Sequence, residues 1–422
     1  MATGVVDSVA ARRQTLGRQF GWLWAAYGVS TFGTWLAFDA FSLIAILVLH
    51  ASPGAVSALS ATGLAVGAVA AVPLGPWMEF RRKRPVMIAM DLVRFAAMMS
   101  IPVTFALGWL SFAQLLVASV IVATADITFT AASGACLKSL VQAPDLLVAN
   151  GRFESTSWTS TMLGPPIGGA LIGMFGPATT VLANAISFLL SALGIRAIGG
   201  EETQPQRPTR ADDGTPQPRF GGLLEGWRYI LTHPVLRRFF FNSTSTSSLI
   251  MAPMPLLAVL MLGRLGFPPW QYGLAFAAPC IGGLVGSRMS RRLVARYGRH
   301  RVMLTAGTLR AWWSVGLAFI RPGVAGLVLV IVIELGLLTC MGVFNPVYAT
   351  YRLEQTAPDR VARTLSAWSV TSKLTVAATT ALWGLLASVT TPRTAIAIAG
   401  ILLLATPLLL PRRKDDDLVG SH

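Results

Sequence analysis

A chain of 422 residues that is 54% hydrophobic and 12% charged, with a mean hydropathy of +0.61, is far more apolar than a soluble globular domain requires. The apolar runs are long and lack the alternation of outer-membrane barrel strands, so the composition predicts an all-α integral membrane protein. The net charge of +16 invites a nucleic-acid partner, but the placement of the charges argues against one. Of 34 Lys and Arg, Arg264, Arg321 and Arg393 fall in loops on one side, Lys373 falls inside an apolar run, and the others lie in or beside segments on the opposite side. This positive-inside pattern accounts for the charge and puts the basic side in the cytoplasm.

The N-terminal stretch MATGVVDSVAARRQTLGRQF has no short apolar core with a cleavage site, so no removable signal peptide is expected and the first apolar run reads as a span. Span 1 covers Phe20 to Leu49 and span 2 Ala55 to Met78. Span 2 enters the stretch GPWMEFRRKRPVM, whose consecutive basic residues Arg81 to Arg84 make a cationic turn. Spans 3 (Val86 to Leu107), 4 (Phe112 to Val141), 5 (Ser155 to Met174) and 6 (Thr179 to Ile198) complete an N-terminal six-helix bundle over 1–198.

From Gly199 to Arg219 the chain turns to proline and charge, a solvated linker. Leu223, Leu224, Trp227, Ile230 and Leu231 then recur at helical spacing, which suits either an amphipathic helix on the inner membrane surface or an extension of span 7, closing a linker region over 199–233. Span 7 (Phe239 to Leu262) holds Pro253 and Pro255 and is expected to break or bend. Spans 8 (Tyr272 to Met289), 9 (Val302 to Ile320), 10 (Val324 to Tyr348), 11 (Thr364 to Val389) and 12 (Thr394 to Leu410) give a second six-helix bundle over 234–411, followed by a cytoplasmic tail, 412–422. Twelve spans leave both termini in the cytoplasm of a cell bounded by this inner membrane.

The two halves repeat. RPVMIAMDLVR, Arg84 to Arg94, matches HRVMLTAGTLR, His300 to Arg310, at an offset of 216 residues, and the Ala-Pro-Asp of SLVQAPDLLVA matches that of RLEQTAPDRVA at 214. Two landmarks at nearly one offset mark a duplicated six-span unit, a known transporter plan. At the cationic turn the chain resembles the major facilitator superfamily, whose loop motif reads G-x-L-a-D-r-x-G-r-k-x-x-l. Gly75, Glu79, Lys83, Arg84 and Met87 fall on its positions, while Trp77 replaces Leu, Glu79 replaces Asp and Arg82 replaces the second Gly. Span 5 is similar to the antiporter motif g-x8-G-x3-G-P-x2-G-G through Gly151, Gly164, Pro165, Gly168 and Gly169, with Ser160 for the second Gly. Small residues there allow close helix approach, and Pro165 is expected to bend the span. The superfamily's span-4 arginine motif is absent, since no Arg occurs between Gly108 and Leu137. RRKRPVMIAMDLVR together with APDLLVANGRFE is similar to the subfamily of macrolide efflux and enterobactin exporter proteins. The resemblance implies the major facilitator fold, export driven by the proton gradient, a central cavity lined by spans 1, 4, 7 and 10, and an inner gate at the loop motif.

An ionisable group deep in a span costs about 2.5–3.5 kcal/mol on insertion scales and so marks function by default. Four qualify: Asp39 in span 1, Asp126 in span 4, Glu334 in span 10 and Lys373 in span 11. A carboxylate in a partly dry cavity can hold a proton or a cation in competition, so Asp126 and Glu334 are expected to carry proton coupling or cation binding, with Asp39 contributing and Lys373 as counter-charge. The plainer role for each is a hydrogen bond to a neighbouring helix. Asp91 and Arg94 are expected to join Glu79 in an inner-gate network, or else to be solvated surface charges. Trp22, Trp24, Tyr27, Trp35 and Phe38 are candidates for stacking on a flat substrate, or for facing lipid.

The leading reading is a proton-coupled exporter of hydrophobic or amphipathic small molecules, such as drugs or secondary metabolites. A second is an exporter of an anionic or zwitterionic metabolite such as a siderophore, and a remote third a transport-inactive receptor or scaffold. An enzyme is not expected: of four histidines none lies mid-span, and no Walker loop occurs. Cys136, Cys280 and Cys340 sit in apolar runs without CxxC spacing, so neither disulfide nor metal is expected. No cofactor beyond the proton gradient is expected, and the partners are a small molecule, protons and the lipid bilayer, with no nucleic acid, for a monomer.

Overall fold

The structure, a computed structural model, describes residues 16–37, 40–50, 53–79, 81–200, 202 and 224–410, and every element among them is helical. In the first half α1 (Gly17–Leu36) and α2 (Ala40–Leu47) carry span 1, and α3 (Pro53–Ala71) and α4 (Leu74–Glu79) carry span 2. Spans 3 to 6 are α5 (Lys83–Ala106), α6 (Phe112–Leu140), α7 (Leu146–Phe175) and α8 (Pro177–Arg196). A connecting α9 (Glu225–Thr232) leads to α10 (Pro234–Met251) and α11 (Met254–Ala258), which form span 7 with a π-helical turn at Val259–Arg264. The rest are α12 (Pro269–Ala277) and α13 (Cys280–Tyr297) in span 8, α14 (Arg299–Trp313) in span 9, α15 (Val324–Glu354), α16 (Val361–Val389) and α17 (Pro392–Leu403).

Seven described helices are each long and apolar enough to cross a bilayer. The remaining predicted spans are carried by split helices or, as in α7, by a helix rich in Gly, Ser and Thr that also holds Arg152 and Glu154. Local chemistry sets many of the ends. Ser111 accepts from the Gln114 amide (3.2 Å) to cap α6, and Thr391 accepts from the Thr394 amide (3.1 Å) to cap α17. Gly108, Gly176, Gly298 and Gly323 hold positive φ at turns between spans, where a side chain would be strained.

Proline acts differently from site to site. Span 7 does break as expected, with α10 ending at Met251 ahead of Pro253. Span 8, read as continuous, is also split, at Pro279. Span 5 runs through Pro165 and Pro166 as one helix, so the expected bend produces no break there. The predicted amphipathic helix is shorter than the pattern and is docked rather than free. Trp227 Nε1 donates to Thr371 Oγ1 of α16 (2.8 Å), Glu225 pairs with Arg363, and Gly226 and Ile230 are buried.

Among the described residues the two halves share apolar core in a small cluster of Ala68, Ala71 and Ile127 with Val370 and at the end of the bundle that carries the basic turns. There Phe20, Met78, Phe129, Cys136 and Ile195 of the first half pack in one cluster with Leu353, Val361, Ala362 and Leu365 of the second. At the opposite end the clusters belong to one half each: Ile44, Ile101 and Phe188 in the first, Leu257, Ile320 and Ile396 in the second. The two bundles are therefore joined at the basic end.

Candidate functional site

Helix α5 rises about 1.5 Å per residue, so Arg94, eleven residues after Lys83, stands roughly 16 Å in from the basic end. It is buried there with its guanidinium 4.3 Å from the Phe129 ring and 4.4 Å from the Phe188 ring, and it pairs with the fully buried Asp91 one turn back. Its Nη1 also reaches Asp126 Oδ1 of α6 at 3.5 Å. On the other oxygen, Asp126 Oδ2 accepts from Lys373 Nζ of α16 at 2.9 Å. A chain of alternating charge, Asp91, Arg94, Asp126 and Lys373, thus crosses from one half to the other.

Asp126 and Lys373 stand at the wall of a cavity of about 500 Å³ between the halves, where their side chains keep 45% and 28% of their exposure. That size suits a drug-sized molecule, and the wall mixes hydroxyls such as Ser30, Thr31 and Thr130 with the rings of Trp35, Phe129, Phe153 and Trp368. Tyr27 and Trp35 of the predicted aromatic set line it, whereas Trp22 and Trp24 are exposed and Phe38 lies outside the described residues.

Below the cavity the halves are tied together. Lys138 Nζ donates to the carbonyls of Leu353 and Thr356, Asn150 Nδ2 to Thr350 Oγ1 (3.0 Å), and Asn345 Nδ2 to Glu154 Oε1 (2.7 Å). Ser155 and Ser287 hydroxyls meet at 2.7 Å. All these bonds lie at or on the basic side of the Asp126–Lys373 pair. Glu154 also accepts from Trp158 Nε1 (2.9 Å); hydropathy leaves it in the connection ahead of a span beginning at Ser155, whereas the helix begins at Leu146. Asn150 and Arg352 were missed similarly, as parts of connecting segments that the structure winds into α7 and α15.

The small residues of span 5 act at two interfaces. A Cβ on Gly164 would come within 2.6 Å of Trp35 Cβ, and one on Gly168 within 2.0 Å of the Leu36 carbonyl, so both glycines let α7 touch α1. A Cβ on Gly151 would come within 3.3 Å of the Ser287 carbonyl oxygen of α13, across the halves. Gly169 has open space, and Ser160 is buried where the motif has glycine.

The cationic turn makes a different structure from a bare loop. Lys83 Nζ donates to the Met78 (2.6 Å) and Arg81 (2.9 Å) carbonyls, and Arg84 Nη1 gathers those of Ile198 (3.0 Å), Gly199 (3.1 Å) and Gly200 (2.9 Å). The Glu202 carboxylate accepts from the Lys83 and Arg84 amides, so the start of α5 is clamped to the end of α8. Gly75 abuts Ser366 of α16. Of the other residues expected in the inner-gate network, Arg94 lines the cavity and Asp91 is buried behind it as its ion-pair partner. The side chain of Glu79 and all of Asp39 lie outside the described residues. Glu334 is buried in α15 away from the cavity wall, and its Oε1 finds no hydrogen-bond partner among the described residues.

The model of the Major Facilitator Superfamily matches residues 23–339. "Multidrug efflux pump Tap" of Mycobacterium bovis (strain BCG / Pasteur 1173P2) is 31% identical over 208 residues, 47% of this chain and 45% of that protein. The Tap pump of Mycolicibacterium fortuitum is 28% identical over 223 residues, half of each. The chain thus spans about half the length of the relatives it matches. Among solved structures, a bacterial homologue of the iron transporter ferroportin in an outward-facing state superposes with a TM-score of 0.77 at 16% identity over 93% of this chain and 98% of that one. The human organic anion transporter MFSD10 does so at 0.75 and 14%, over 94% and 100%. At such identities these two speak for the fold, while the family match covers most of the chain: this multi-pass membrane protein belongs to the Major Facilitator Superfamily.

Proposed function

We propose that the chain is a secondary active transporter that exports hydrophobic or amphipathic small molecules in exchange for protons. The observation that carries this reading is the Asp126–Lys373 pair, which bridges two six-helix bodies at the wall of a drug-sized cavity. If the bodies rock, the pair must part, and a carboxylate that loses a cation takes a proton or another cation in its place. Charge exchange at Asp126 is then linked to which side the cavity faces. The efflux-pump names of the partial relatives support an apolar, varied cargo. In this reading, supported by the positive-inside pattern, the basic end faces the cytoplasm across a bacterial inner membrane, and the cavity is closed on that side. The proton gradient supplies the energy, and the unit is a monomer.

The test uses everted membrane vesicles acidified by respiration, with a pH-sensitive dye reporting protons released when a candidate compound is added. Release with the natural protein and its loss in Asp126→Asn is the expected result; full proton-driven transport by that variant would overturn the role of Asp126. A second reading, export of an anionic or zwitterionic metabolite, is favoured by the position of Arg94 and Lys373 at the cavity.

A further inference from the structure

Among the described residues the cavity wall carries three cations, Arg94, Lys373 and Arg352, against one carboxylate, Asp126. Asp91 offsets one more charge from behind Arg94, where it is fully buried. Arg352 is the cation left over. Its guanidinium stands 5.2 Å from the ring centres of both Tyr348 and Trp368, and its Nε is buried without a hydrogen-bond partner. The nearby acids are engaged elsewhere: Glu354 pairs with Arg299, Glu225 with Arg363 and Arg360 (3.8 Å), and Asp359 with Arg360 (3.7 Å). Among the described residues no carboxylate lies within ion-pairing distance of Arg352.

We propose that the basic-end floor of the cavity is an anion subsite, in which Arg352 takes the acidic group of an amphipathic organic anion whose rings pack on Trp368 and Phe153. The guanidinium presents paired donors that match a carboxylate, sulfonate or phosphate. Aromatic faces beside a cation suit a flat acid better than a flat base, which the surplus charge repels. Arg352 lies two residues from the end of α15, so it is the first of the three cations that a molecule entering from the basic end would meet. The inference rests on the transport reading only in taking this cavity as the substrate path.

The experiment measures equilibrium binding of two xanthene dyes of opposite charge, anionic fluorescein and cationic rhodamine 123, to the full-length protein in lipid nanodiscs by fluorescence polarisation. The natural protein should bind fluorescein more tightly. Arg352→Gln should weaken fluorescein about tenfold or more, as expected for loss of a charge-assisted contact, and leave rhodamine 123 unchanged or tighter. Arg352→Lys should retain most of the preference, and undiminished rhodamine 123 binding shows that the variants fold. Preference of the natural protein for rhodamine 123, or equal weakening of both dyes by Arg352→Gln, would overturn the subsite. Binding is read without flux, so a protein that holds fluorescein but moves no compound keeps the subsite and loses the export reading.

Discussion

At matching positions 216 residues apart, the two halves bury an arginine and give it opposite company. Arg94 of α5 lies against Phe129, and Arg310 of α14 lies 3.8 Å from Phe344, the ring at the equivalent place in α15. Around Arg94 stand two carboxylates, Asp91 and Asp126. Offsets of 216 and 215 residues set Gly307 opposite Asp91 and Met341 opposite Asp126. Arg310 is met by neutral groups instead: Nη2 donates to Asn242 Oδ1 (2.7 Å) and Thr246 Oγ1 (3.4 Å), and Asn242 in turn donates to the Thr406 carbonyl (2.7 Å). Neutral partners cannot change charge, so the second half holds its arginine as a brace. The first half holds an ion network, two members of which, Arg94 and Asp126, line the cavity. Duplication supplied two similar bundles, and the placement of acids made one of them reactive.

The sharpest way to break this contrast is to neutralise each arginine. Arg94→Gln leaves Asp91 buried without its cation, a loss of about 3–5 kcal/mol for a broken buried pair, and should abolish transport in vesicles along with a marked fall in melting temperature. Arg310→Gln strands only neutral partners and should cost about 1–2 kcal/mol, with proton-driven transport retained in the folded fraction. Equal losses of transport would dissolve the distinction. Met341→Asp would place a carboxylate where the second half lacks one. If Arg310 is within its reach, thermal unfolding should show the variant less destabilised than Met341→Asn, by about 0.5–1.5 kcal/mol. The smallest loss is expected at Glu334→Gln: the residue is buried off the cavity wall with Oε1 unpartnered, so replacing the carboxyl by a neutral amide should not lower the melting temperature and transport should persist. Loss of proton coupling there would shift the active half from the first to the second.

Much of the architecture was legible beforehand. Burial of apolar runs in lipid demands helices, and turn residues at their ends divided the chain into spans. Boundaries were less legible where polar residues continue a helix into the bundle. Asn150 and Glu154 lie in a segment that hydropathy assigns to a connection, yet that segment is buried against α13 and α15, and its polar groups are satisfied there by Asn345, Thr350 and Trp158. Arg352 was hidden for the same reason at the end of α15. At the cationic turn, residue type gave a net charge and a motif, but which carbonyls Arg84 would gather depended on where α8 ends.

By itself the amino-acid sequence determined the membrane class, the duplicated halves, the basic end and the short set of charges that cannot be at rest in lipid, because transfer energies are properties of single residues and accumulate along the chain. Which of those charges meet was decided only by the tertiary structure. Lys373 reaches Asp126 across 247 residues, Arg94 lines the cavity, Glu334 is not part of its wall, and Arg352 meets no carboxylate among the described residues. Each of these outcomes depends on the rotation of one helix against its neighbours. Helix packing sets that rotation through close contacts such as those at Gly164 and Gly168, and hydropathy along a single chain carries no record of it.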